Sequence, residues 1–170
     1  MGIYAKILQD SITGIYRTNA ANKILQFINR IRNESDVNQA RRFLIELMQN
    51  ARDLAYKKPD GTPEPVSIRI RLSDTELEFS HNGKVFSVKD ILSIIYQVSS
   101  KKPGEGIGQF GTGFMSTYQL SERVELTSYL KNDDNPYLPF TVCLDRSGLN
   151  KEEILDAIER AMAQLMAADQ

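Results

Sequence analysis

Glu46, Asn50 and Asp53 recur at i, i+4 and i+7. On a helix at about 100° per residue they share an arc of roughly 60°. Ala40, Phe43, Leu44, Leu47, Met48, Ala51, Leu54 and Ala55 would form the apolar face of that helix. The polar trio lies at its edge, where oxygen-bearing groups need partners. A carboxamide there suits Mg²⁺, a hard cation that takes a few protein oxygens and fills its shell with water and phosphate. A carboxylate one turn away can orient and deprotonate a water. The same spacing also fits a plain amphipathic helix with a polar rim.

A second cluster follows. Gly104, Gly106, Gly108, Gly111 and Gly113 fall within ten residues, and Gly108-Gln109-Phe110-Gly111-Thr112-Gly113 runs into the apolar Phe114-Met115-Ser116-Thr117-Tyr118. Glycines let backbone N–H groups approach a ligand, and a helix start adds partial positive charge, so the pair suits phosphate. No Gly-Lys-Ser/Thr ends the loop, which excludes a Walker loop. The polar Ser99–Glu105 stretch stands where a dinucleotide fingerprint needs a strand.

Other chemistries are thin. The chain has one cysteine, Cys143, so no intrachain disulfide forms, and a buried structural thiol is its default role. Its one histidine, His81, sits in Ser80-His81-Asn82-Gly83-Lys84-Val85-Phe86. A net charge of −1 gives no global field for nucleic acid or an anionic membrane. No run of about 18 apolar residues suggests a membrane span, and the first 16 residues lack a secretory core, so the chain is expected to be cytoplasmic.

The elements that would hold these residues can be read from periodicity. Residues 3–32 form two helical segments, and Asp36 with Gln39 resembles a capping box opening a helix to about Lys57. Lys57–Pro65 is a loop. Val66, Ile68 and Ile70 alternate with Ser67, Arg69 and Arg71 as a half-buried strand, paired with a second strand around Leu77 and Phe79. Ser87 caps a helix to about Val98, and Ser99–Gly113 is loop. Phe114–Leu120 is a short helix, Val124–Tyr129 and Pro139–Leu144 are strands, and Asn150 caps a last helix. The 170 residues suit one domain. The order predicts an α+β fold: a two-layer sandwich with one mostly antiparallel sheet under helices.

Taken together, the motifs resemble a family. Glu46-Leu47-Met48-Gln49-Asn50-Ala51-Arg52-Asp53 looks like the ExxxNAxD box of the GHKL ATPases, the superfamily of gyrase, the ninety-kilodalton heat-shock chaperone, histidine kinases and MutL. Gly108–Phe114 resembles the chaperone's form of the GxxGxG loop. The HNGxxF stretch from His81 to Phe86 stands at the family's DxGxG box and is similar to sacsin-like relatives. The resemblance covers roughly residues 20–130.

That resemblance implies the Bergerat fold and an ATP pocket between sheet and helices. Glu46 would be the general base, Asn50 the Mg²⁺ ligand, and Asp53 a brace of the pocket. Gly108, Gln109, Phe110, Gly111, Thr112, Gly113 and Phe114 would wrap the phosphates. Lys101, at the start of the lid, would reach a phosphate. His81 replaces the family's adenine-binding Asp, and its unprotonated nitrogen, or the Asn82 oxygen, would accept from the adenine amino group beside Gly83. Val85 replaces the second glycine of the box and should stiffen the turn. The later strand carrying a pocket-closing threonine is missing after Leu144, so either the chain is a piece of a longer protein or its last helix plays another part. The implied activity is Mg-ATP binding with slow hydrolysis driving a chaperone-like conformational switch, and the resemblance suggests ATP-linked pairing into a homodimer. Alternatives are a nucleotide-binding module without catalysis, a histidine-kinase catalytic domain, which Glu46 opposes, and an interaction domain.

Overall fold

The computed structural model describes residues 2–10, 14–33, 37–97 and 112–169. Two helices open the chain, α1 (Ile3–Asp10) and α2 (Gly14–Asn33), followed by α3 (Val37–Asp53). A hairpin comes next, β1 (Ile68–Leu72) with β2 (Leu77–His81), then α4 (Val88–Tyr96). Beyond residue 111 come the one-turn helix α5 (Thr112–Met115), a 3-10 turn (Ser116–Gln119), the hairpin β3 (Arg123–Leu130) with β4 (Leu138–Asp145), and α6 (Lys151–Ala167). The fold is α+β.

The described strands form two two-stranded antiparallel sheets in place of the single sheet expected. Burial explains the difference. In β3 and β4 alternate residues turn inward, and Phe140, Val142 and Leu144 are buried beneath α6. Ile154, Ile158, Ala161 and Leu165 supply the covering face, with Tyr4, Leu8, Ile24 and Ile28 completing the core. Among the described residues no helix covers the β1–β2 hairpin in this way. Its ladder is regular from Ile68–His81 to Leu72–Leu77, but Ile70 is 44% exposed and Leu72 79%, so the half-buried strand expected there is an exposed one.

Local chemistry sets several boundaries. Ser87 starts α4 through a full capping box: its amide and hydroxyl donate to Asp90 Oδ2, and the Asp90 amide donates back to Ser87 Oγ. Asn150 Oδ1 accepts the Glu153 amide at the start of α6. The helix α3 ends at Asp53, earlier than the apolar pattern suggests. There the Leu54 amide is shared between the Asn50 and Ala51 carbonyls, and Ala55 bonds three residues back to Arg52, tightening the last turn into 3-10 geometry. The short helix after the glycine-rich stretch begins at Thr112, two residues before Phe114, and its second half is 3-10. The Asp36–Gln39 capping box lies outside the described side chains.

Candidate functional site

The site is built around the C-terminal half of α3. Ala51 is fully buried there, which fixes the helix against its neighbours and leaves Glu46 and Asn50 half-buried at its edge. Among the described residues, neither the Glu46 carboxylate nor the Asn50 carboxamide has a hydrogen bond or ion pair. Asp53, one turn on, is more exposed and lies 3.6 Å from the adjacent Arg52 guanidinium. A surface pair of that kind contributes little to stability.

Two other segments meet this helix. The turn at residues 81–86 is joined to its end, with the Lys84 amide donating to the Leu54 carbonyl at 2.8 Å. A Cβ at Gly83 would stand 3.1 Å from both the Leu54 Cβ and the Leu54 oxygen, so glycine is what permits this approach. On its far side the segment is tied to β3. The Phe86 amide donates to Tyr129 and its carbonyl accepts from Lys131, forming an isolated parallel bridge between Phe86 and Leu130. The second neighbour is α5 with the following 3-10 turn, both packed along α3. Phe114, expected to wrap phosphate, is buried, with its ring edge-on to Tyr118 at 6.2 Å. Its side chain is part of the core.

The chain therefore seats the turn carrying His81, Asn82 and Gly83 against the end of α3, the helix that bears Glu46, Asn50 and Asp53, and packs α5, which opens at Thr112 and Gly113, along the same helix. Lys101, Gly108, Gln109, Phe110 and Gly111 lie outside the described residues.

Comparison with known proteins gives a distant likeness. The chain is similar to the chaperone protein HtpG of Sulfurovum sp. (strain NBC37-1), with 24% identity over 121 residues. The match covers 56% of this chain and 20% of HtpG, so the chain spans about a fifth of that relative's length. No protein-family model matches the chain, and no solved structure does.

The histidine departs from the role expected of it. His81 Nδ1 accepts the Gly83 amide at 3.1 Å, and Asn82 Oδ1 accepts the Ser67 amide at 2.8 Å. Burial pushes the His81 pKa below the ordinary histidine value, so the ring is neutral at pH 7. With Nδ1 accepting, the proton sits on Nε2. The unprotonated nitrogen that was to accept from a ligand is thus already used, and the Asn82 oxygen is engaged as well.

For Mg²⁺, the test is the donor set. Asn50 Oδ1 and the Glu46 carboxylate, which have no partner among the described residues, lie one turn apart on one helix, a set that fits a cation keeping most of its water and phosphate ligands. Among the described residues no cluster of three His, Cys, Asp or Glu side chains could hold a metal by protein groups alone. Asp53 is better placed as a rim charge than as a ligand, given its pairing with Arg52.

Sequence reasoning missed Arg146. Its side chain is fully buried, donating to the Ile95 carbonyl at 2.9 Å and the Asp145 carbonyl at 3.2 Å, with its guanidinium 5.8 Å from the Tyr118 ring centre. Ile95 lies in the last turn of α4, whose exposed carbonyls carry partial negative charge. Tyr118 lies in the 3-10 turn after α5. One cation thus joins the element before residues 98–111 to the element after them. A single arginine following a strand carries no sequence signal for that role. Among the described residues no helix is long and apolar enough to cross a membrane.

Proposed function

We propose that this chain is a Mg²⁺-dependent purine nucleoside triphosphate-binding domain of the GHKL type, with slow hydrolysis serving a conformational switch. ATP is the ligand the family resemblance implies. One observation carries the reading. Three motifs separated by up to some 60 residues meet on one helix: the Glu46–Asp53 box lies on α3, the 81–83 turn is bound to its end through Leu54, and α5, after the glycine-rich stretch, packs along it. The distant likeness to a chaperone points the same way.

In this reading Asn50 holds the cation through its carboxamide oxygen, and the cation neutralises phosphate charge. Glu46 orients the attacking water and takes its proton. Residues 108–113 and Lys101 are the phosphate contacts that the family resemblance implies. The segment that follows the β1–β2 hairpin is tied to β3 by the Phe86–Leu130 bridge, which supports reading both hairpins as parts of one Bergerat-type layer. The whole protein carries further domains and works as a dimer.

Calorimetric titration with ATP and ADP, with and without Mg²⁺, tests the binding. Saturable, Mg²⁺-dependent heat supports it, and no heat at millimolar nucleotide rejects it. Phosphate release that disappears in Glu46→Ala while binding persists supports catalysis. A second reading, binding without turnover, is favoured by the altered hydrogen bonding of His81. Tight binding with no phosphate release would select it.

A further inference from the structure

The turn at residues 81–83 offers a ligand hydrogen-bond donors where its sequence promised acceptors. The Gly83 amide occupies His81 Nδ1 at 3.1 Å, and the Ser67 amide occupies Asn82 Oδ1 at 2.8 Å. Gly83 makes the first bond possible, because a Cβ there would come within 3.0 Å of Nδ1. The Phe79 ring lies edge-on to the imidazole, with ring centres 6.2 Å apart. A neutral ring accepting at Nδ1 carries its hydrogen on Nε2 and has no acceptor left. Asn82 retains its NH₂ group, which has no partner among the described residues. Two neighbouring side chains of one turn therefore carry N–H groups that have no partner among the described residues.

We infer that His81 and Asn82 make this turn select a 6-oxopurine nucleotide over a 6-aminopurine one. The inference rests on the reading that a nucleotide base lies against this turn. A 6-oxopurine shows two adjacent acceptors, O6 and N7, which match two donors. Adenine shows N7 and an amino group, so one donor faces another. A buried mismatch of that sort leaves both groups unpaired, and a matched pair of donors discriminates by roughly 1–3 kcal/mol. The residue that weakens adenine recognition thereby becomes a specificity-determining residue for a different base.

The test is a set of affinities for the Mg²⁺ complexes of ATP, GTP and inosine triphosphate, measured by calorimetry on the unaltered chain and on His81→Asp. Inosine triphosphate carries the 6-oxo group without the 2-amino group of guanine, which isolates the oxygen. The unaltered chain should bind GTP and inosine triphosphate about tenfold more tightly than ATP, a difference of about 1.4 kcal/mol. His81→Asp, which restores a carboxylate acceptor, should reverse the order. Binding of ATP as tight as that of inosine triphosphate in the unaltered chain overturns the inference and leaves nucleotide binding intact. Failure of all three to bind overturns both.

Discussion

The Lys84 amide donates to the Leu54 carbonyl at 2.8 Å, which fastens the 81–83 turn to the end of α3. The contact needs a residue without a side chain beside it. A methyl group at Gly83 would sit 3.0 Å from His81 Nδ1 and 3.1 Å from the Leu54 oxygen, and the latter is backbone that yields only if the helix end moves. Gly83→Ala should therefore destabilise the chain by about 1–3 kcal/mol, the usual cost of overpacking. For a chain of this size that lowers Tm by roughly 2–4 °C per kcal/mol. Thermal melting followed by circular dichroism reads the effect. A Tm within 1 °C or so of the parent would show that the turn is not seated against α3.

Arg146 yields a second prediction. Its guanidinium is buried and holds the Ile95 and Asp145 carbonyls, and among the described residues no carboxylate pairs with it. Removing it leaves two carbonyls without donors and a cavity beside Tyr118, so Arg146→Ala should cost about 3 kcal/mol or more. Arg146→Lys keeps the charge but not the fork that spans two acceptors, and should lose less. Urea unfolding of both variants checks the order. Equal stability of Arg146→Ala and the parent would mean the clamp contributes nothing.

Much of this architecture was legible in the chain, and the reasons for the exceptions are physical. Ser87 and Asn150 were readable as caps because capping depends on side chains within three residues. The alternation in β3 and β4 was readable because one face is buried under α6. The exposed β1 shows the same alternation, yet Ile70 and Leu72 meet solvent, since periodicity reports a potential apolar face and not what covers it. The end of α3 was overestimated because Leu54 and Ala55 continue the apolar pattern into a 3-10 turn. At the site, the ordered motifs pointed to a common region. The hydrogen-bond state of His81 was not readable, because it depends on how close the Gly83 amide comes. The role of Arg146 depends on long-range packing of α4, the end of β4 and the 3-10 turn, for which a lone arginine gives no sign.

Function and stability should separate on α3. Glu46 and Asn50 make no hydrogen bond or ion pair among the described residues, so Glu46→Ala and Asn50→Ala should leave Tm within about 2 °C of the parent, as substitutions clear of such contacts do. Their effects on chemistry should be large and different. Glu46→Ala should cut phosphate release at least a hundredfold, the typical contribution of a general base, while nucleotide affinity changes less than about threefold. Asn50→Ala should abolish the Mg²⁺-dependent part of the affinity. Coupled phosphate detection and calorimetry measure both. Turnover undiminished in Glu46→Ala would remove that residue from the proposed role.

The His81 imidazole gives the last prediction, a pH dependence of stability. Its surroundings are the Phe79 ring and the Gly83 amide, and burial holds its pKa below 6.5 in the folded chain. The unfolded chain, at about 6.5, takes up the proton first as pH falls. Between the two values the unfolded state binds more protons, so stability rises with pH across that window. The contribution of His81 is complete above about pH 6.5 and is lost as pH falls through the folded value. Protonating Nδ1 also removes the lone pair that receives the Gly83 amide, so the same step loosens the turn. Urea unfolding between pH 8 and pH 5 should show this loss in the parent and a shallower one in His81→Gln, which cannot titrate. Parallel profiles for the two would show that the imidazole is as free in the folded chain as in the unfolded one.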